Sequence, residues 1–220
     1  MSDGQEEAAI RVVVVDDHEL VAEALERAIL AHPRIQLVGR ASTAAAGFLL
    51  VRAAMPDLVV MDLKLPDASG TDATRAIKAA FPEIDIVMLT GFADGSALAS
   101  ALEAGCAGFV SKGGRFDELL ATIEAVHAGQ VRVPNELLEG LVSHLRPHSA
   151  KVGHDLTARE IEILHMLASG LSTSEMMERL IVSIHTVRNH VRNLLTKLHA
   201  SSRLEAVAIA TRAGLFERGD

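Results

Sequence analysis

The sequence predicts an α/β domain on a five-stranded parallel sheet, followed by an all-α domain. Three observations carry this. Five short apolar, β-branched runs alternate with segments of helical period over the first 128 residues, and such alternation calls for a parallel sheet with right-handed crossovers. The last 70 residues show one helix start after another and no strand pattern. Charge divides in the same place: residues 1–130 hold 10 Lys/Arg against 19 Asp/Glu, a net −9, and residues 131–220 hold 11 against 10, a net +1.

The first strand, Arg11–Val15, lies in "VVVVDDHE". Four consecutive valines read as a strand buried on both faces. Leu20, Val21, Ala24, Leu25, Ala28 and Ile29 then form one stripe of an amphipathic helix. Further strands follow at Ile35–Gly39, Leu58–Met61, Ile84–Leu89 and Gly108–Val110. Phe116, Leu119, Leu120, Ile123 and Val126 make the stripe of the helix that closes this domain, residues 10–128. Gly129, Pro134, Pro147 and Gly153 mark a linker over 129–153, with room for a short helix over Pro134–Leu145. In the second domain, residues 154–217, "TARE", "STSE" and "SRLE" each have capping-box spacing, and a fourth helix starts near Ser183. Gly170 and Gly214 stand where helices should stop.

Composition narrows the setting. The chain is 49% hydrophobic and 23% charged, as globular proteins are. No apolar run approaches the roughly 18 residues needed to span a bilayer, and the acidic start "MSDGQEEAAI" lacks the basic region of a signal peptide. The single cysteine, Cys106, excludes an internal disulfide and fits a small core residue in a reducing compartment. A cytoplasmic protein without a membrane partner is expected.

Parallel sheets form their sites beyond the C-terminal ends of the strands. Here those ends carry Asp16 and Asp17, then Asp62, then Thr90, then Lys112. Each alone is ordinary; together they put three carboxylates, a hydroxyl and an ammonium along one edge. Three carboxylates raise one another's pKa unless a cation intervenes. Mg²⁺ resolves that conflict through oxygen ligands. A carboxylate can itself attack phosphorus, and the metal and ammonium would neutralise the charge on the transferred group.

The motifs "VVDDHELV", "VVMDLKLPDASG", "VMLTG" and "GFVSK" resemble those of the response-regulator receiver domain. The resemblance implies a (βα)5 doubly wound parallel sheet of the flavodoxin- and CheY-like kind. It implies that Asp62 accepts a phosphoryl group from a sensor histidine kinase. Mg²⁺ would be held by Asp17 directly, by Asp16 mainly through water, by Asp62 and by the backbone carbonyl of Lys64. Thr90 and Lys112 would contact the phosphoryl group, and Phe109 falls at the family's switch aromatic; by pattern alone it is a core residue. Many receivers have Pro after the lysine, preceded by a cis bond. Gly113 stands there in this chain. His18 reads as a helix-start residue that takes no phosphoryl group.

In "SIHTVRNHVRNLLTKL", Val187, Val191, Leu194, Leu195 and Leu198 form one stripe. His185, Asn189, Arg192, Asn193 and Thr196 lie opposite, with Arg188 on the flank. Arg and Asn suit guanine and adenine edges, and a shorter helix at Thr173–Leu180 completes a helix-turn-helix. Residues 155–216 resemble the four-helix LuxR-type DNA-binding domain, which makes the chain similar to NarL/FixJ response regulators. The resemblance implies a recognition helix from Ser183 to His199, with DNA-facing Arg188, Asn189 and Arg192, joined by His185, Asn193 and Lys197. It also implies that the last helix, Arg203–Ala213, pairs two such domains into a homodimer, with RNA polymerase a candidate partner. Met176–Met177 replaces the family's usual Ile-Ala.

The expected function is phosphorylation-gated control of transcription, not turnover of another substrate. In the resting state the acidic receiver is expected to cover the recognition helix. Two alternatives stay open. A Mg²⁺-dependent hydrolase with an aspartyl-phosphate intermediate would need Asp-x-Asp after the first strand and a general acid, neither of which the sequence supplies. A receiver serving only as a dimerisation module would keep DNA binding and lose phosphorylation.

Overall fold

The computed structural model describes residues 9–91, 95–132 and 153–216. The first domain runs β1 (Ile10–Val15), α1 (Glu19–Leu30), β2 (Ile35–Ala41), α2 (Ala44–Ala54), β3 (Leu58–Asp62), α3 (Gly70–Ala80), β4 (Asp85–Thr90), α4 (Gly95–Glu103), β5 (Gly108–Ser111) and α5 (Phe116–His127). The strands pair in parallel in the order β2-β1-β3-β4-β5. β1 therefore sits between β2 and β3, and the strand order reverses there. The site expected from the strand ends lies at this switch.

The valine run is explained by burial on both faces. Val13, Val15, Val59, Met61, Ile86, Met88 and Phe109 join the core under α2, α3 and α4. Val12, Val14, Leu58, Val60, Val87, Leu89 and Val110 join the core under α1 and α5. Burying each such side chain is worth about 1.5–3 kcal/mol, so the strand ends are anchored by the strands behind them. The sharpest clash with backbone would fall at Gly70: a Cβ there would meet the Asp62 carbonyl oxygen and the Leu63 backbone. That close approach lets α3 start directly against the end of β3.

The second domain holds α6 (Ala158–Ala168), α7 (Thr173–Leu180), α8 (Ile184–Leu198) and α9 (Arg203–Arg212). Thr157 and Ser172 form complete capping boxes with Glu160 and Glu175. The third predicted box is incomplete. Ser202 caps the Glu205 amide, but the Glu205 carboxylate accepts from Ser201 N at 2.6 Å. Met176 is fully buried and Met177 packs partly against the same core, so the pair is absorbed without breaking the helix contacts. The predicted helix over Pro134–Leu145 lies outside the described residues. The start of the linker stays with the first domain, where Phe109 N donates to Arg132 O at 3.3 Å.

The two domains touch through α9. Leu204 and Ala208 belong to the core cluster that contains Leu98, Ala101 and Leu102 of α4. Arg203 Nη1 donates to Gly129 O at 2.7 Å and to Thr173 Oγ1 at 3.0 Å. Thr173 N donates to Ala128 O at 2.9 Å. This corrects the expected resting arrangement. The receiver covers the last helix, and His185, Arg188, Asn189, Arg192 and Asn193 of α8 are exposed. No helix among the described residues is long and apolar enough to cross a membrane.

Candidate functional site

Parallel pairing brings four strand ends together. Val15 pairs with Met61, Asp62 with Leu89 and Thr90 with Ser111, while Lys112 N donates to Thr90 O at 2.8 Å. Asp16, Asp62 and Thr90 are each at most 3% exposed, whereas Asp17 reaches solvent. The Lys112 ammonium lies 2.8 Å from Asp16 Oδ2 and 2.7 Å from Asp62 Oδ2. Partial burial pulls the Lys112 pKa down, but its bonds to Asp16 and Asp62 outweigh that and leave it raised. Lys64 sits on the loop after β3, with its amide 3.3 Å from Asp62 Oδ1.

Among the described residues three buried side-chain oxygens lack hydrogen bonds, those of Thr74, Thr90 and Asp16, and the last two belong to this site. Thr90 Oγ1 has no partner, and Asp16 Oδ2 is met by the Lys112 ammonium as an ion pair at 2.8 Å. Orphaned buried polar atoms are costly, and at a site they mark where a ligand completes the structure. Asp16, Asp17, Asp62 and His18 each offer a ligand atom, and those atoms lie within 4.8 Å of one another. The chain thus forms an acidic pocket that could hold a metal ion.

Phe109 is 1% exposed and packed under the α2–α4 face. Beyond Lys112 the chain turns on Gly114 N donating to Ser111 O at 3.0 Å, and no peptide bond among the described residues is cis. Asp67, on the Lys64 loop, accepts from the first two amides of α2, Ala44 N at 2.8 Å and Ala45 N at 3.0 Å. Sequence reasoning missed this cap, because its partner is 22 or more positions away. His18 stands at the N-cap of α1, as expected of a helix-start residue, and its ring lies against the carboxylates, 3.8 Å from Asp62 Oδ2.

In the second domain, α8 presents His185, Arg188, Asn189, Arg192 and Asn193 along its exposed side. Lys197 departs from the expected set. Its ammonium bonds Glu160 Oε2 at 2.7 Å and Asp155 O at 3.0 Å, so it ties α8 to the capping box of α6.

Comparison with known proteins agrees with both halves. Residues 12–124 match the family described as "Response regulator receiver domain". Residues 154–210 match "Bacterial regulatory proteins, luxR family". The chain is 34% identical over 206 residues to the transcriptional regulatory protein LiaR of Bacillus subtilis, covering 92% of this chain and 97% of that one. It is 32% identical over 204 residues to the DNA-binding transcriptional activator DevR/DosR of Mycobacterium tuberculosis, covering 92% and 94%. Its fold is similar to the crystal structure of the response regulator ChrA of a heme-sensing two-component system, with a TM-score of 0.53, 28% identity and coverage of 94% and 99%. The chain belongs to the response regulators that join a receiver domain to a LuxR-family DNA-binding domain.

Proposed function

We propose that Asp62 accepts a phosphoryl group from a sensor histidine kinase and that this controls transcription through α8. The observation that carries the reading is the convergence of Asp16, Asp62, Thr90 and Lys112, with a buried Thr90 hydroxyl lacking a partner. An Asp62 oxygen attacks phosphorus of a phosphohistidine. The P–N bond breaks, an acyl phosphate forms, and the leaving imidazole takes up a proton. Lys112 follows the negative charge from the carboxylates to a phosphoryl oxygen. Thr90 donates its free hydroxyl to another. Mg²⁺, held by Asp16, Asp17, Asp62 and the Lys64 carbonyl, would neutralise the repulsion between the attacking carboxylate and the phosphoryl group.

Arg188, Asn189 and Arg192, flanked by His185 and Asn193, would meet base edges and phosphates in the major groove of double-stranded DNA. DevR/DosR carries the description of a DNA-binding activator, which supports that role here. Gating would act through α9. If α9 pairs two chains, its cover by α4 opposes pairing, and phosphorylation must favour the uncovered arrangement. Thr90 ends β4, which leads into α4, and Phe109 lies on β5, which follows it; the two would carry that change.

The test is incorporation of phosphate from a small phosphodonor with Mg²⁺, followed by mapping of the labelled residue. Label on Asp62, lost in Asp62→Ala, is expected. Absent label with either a phosphodonor or a cognate kinase would leave the receiver as a dimerisation module.

A further inference from the structure

Helix α9 carries a single carboxylate, Glu205, and holds it only 5% exposed. Its place on the helix explains why. Leu204 and Ala208 join the receiver core under α4, while Ala206 and Ala210 join the core of the second domain. At about 100° per residue, Glu205 falls between these two faces, on the seam where the domains meet. Its carboxylate accepts from Ser201 N at 2.6 Å. That corner lies against the end of α4. Ser201 O stands 3.4 Å from the place a Cβ on Gly105 would take, and Gly105 follows Glu103 closely in the chain.

The charged groups of the surrounding elements sort themselves around this seam. Lys78 of α3 donates to Pro82 O and Ile84 O. Arg203 of α9 donates to Gly129 O and Thr173 Oγ1, and it feels Asp85 of β4 and Arg188 of α8. His127, which ends α5, acts on Asp85. Lys197 of α8 pairs with Glu160 of α6. His199, at the C-cap of α8, is exposed. α4 sends Glu103, a like charge. Burial first, and Glu103 second among the raising influences, push Glu205 up to about 7 against the bond from Ser201 N. Among the described residues no cation is counted with the charges that act on it.

We infer that Glu205 and Glu103 make the domain junction a proton-operated latch: protonated Glu205 lets α4 cover α9, and loss of that proton sets two carboxylates against each other across the seam and parts the domains. In the parted form Glu205 regains water and leaves Glu103, so its carboxyl returns toward the ordinary 4.5. Opening therefore releases a proton to water, and the open share grows as pH rises through about 7. The consequence, that α9 becomes free to pair, rests on the reading that its cover by α4 opposes pairing. The opening itself needs neither DNA nor phosphate.

The experiment is single-molecule fluorescence energy transfer on the full chain, with dyes at Leu49→Cys and Glu178→Cys. Both positions are exposed, and the buried Cys106 stays unlabelled. Transfer is read from about pH 6 to about pH 8, in this labelled parent and with Glu205→Gln or Glu103→Gln added, and circular dichroism checks folding. In the parent the ratio of open to closed molecules should rise by about tenfold. Glu205→Gln keeps the neutral shape and should stay closed throughout. Glu103→Gln removes the like charge and should cut the rise to about twofold. A constant ratio in the parent, or the parent's rise retained in Glu205→Gln, would overturn the inference. If Glu205→Gln fails to fold, Glu103→Gln decides: the parent's full rise there overturns it equally. Opening that follows pH in a chain whose Asp62 takes no phosphate would sink the phosphorylation reading and leave the latch in place.

Discussion

Asp16 and Asp62 are carboxylates held almost entirely out of water, and Lys112 is the ammonium that balances them. Removing one partner of such a pair leaves buried charge uncompensated. Lys112→Ala should therefore cost stability at the lower end of about 3–5 kcal/mol, because its own side chain keeps some contact with solvent. Urea unfolding should show the loss, and saturating Mg²⁺ should recover part of it. The raised Lys112 pKa fixes the sign with pH: the contribution is complete below about 10.5 and is lost as pH climbs through the higher folded value. Asp16, Asp62, Thr90 and Lys112 were readable in the sequence because each stands at or just beyond the end of a strand whose type is plain. The place of the His18 ring was only half legible: Asp16 and Asp17 are its chain neighbours, but the Asp62 carboxylate beside it comes from another strand.

Helix α8 shows how one element divides its labour. Its exposed side carries Arg188, Asn189 and Arg192, while Lys197 reaches the buried Glu160. Burial raises the Glu160 pKa, but the bonds from Lys197 and Thr157 outweigh that and leave it lowered. Arg192→Ala should keep the melting temperature and weaken DNA binding by about tenfold, roughly 1–3 kcal/mol. Lys197→Ala should do the reverse, costing about 1–2 kcal/mol of stability through its charge-assisted bond. Helix α9 supplies a pH test. Burial first, and Glu103 second among the raising influences, push Glu205 up to about 7 against the opposing bond from Ser201 N. A carboxyl whose folded pKa is raised favours the fold when protonated. Its contribution is present below 4.5 and disappears as pH rises through about 7. Thermal stability should fall across that window in wild type and less so in Glu205→Gln. "SRLE" was legible as a helix start, but not as an incomplete box, because burial of Glu205 against α4 decides where its carboxylate goes.

At the scale of the whole chain, the two domains were legible from charge and periodicity, and their contact was not. Leu204 and Ala208 look like core residues of a helical domain, yet they pack with Leu98, Ala101 and Leu102 of the receiver. A helix covered on both sides has no polar stripe to reveal its second partner. Arg203 bonds across the junction to Gly129 O while its guanidinium is desolvated, which lowers its pKa. Arg203→Ala should loosen the junction and raise the DNA affinity of the unphosphorylated chain several-fold, read by fluorescence anisotropy. The central claim is that the state of Asp62 controls what α8 can bind. The most direct measurement is DNA affinity of wild type and Asp62→Ala, with and without beryllofluoride plus Mg²⁺. Tighter binding in wild type alone, on addition of the phosphoryl mimic, is the predicted result. Equal affinities in all four cases would contradict the account.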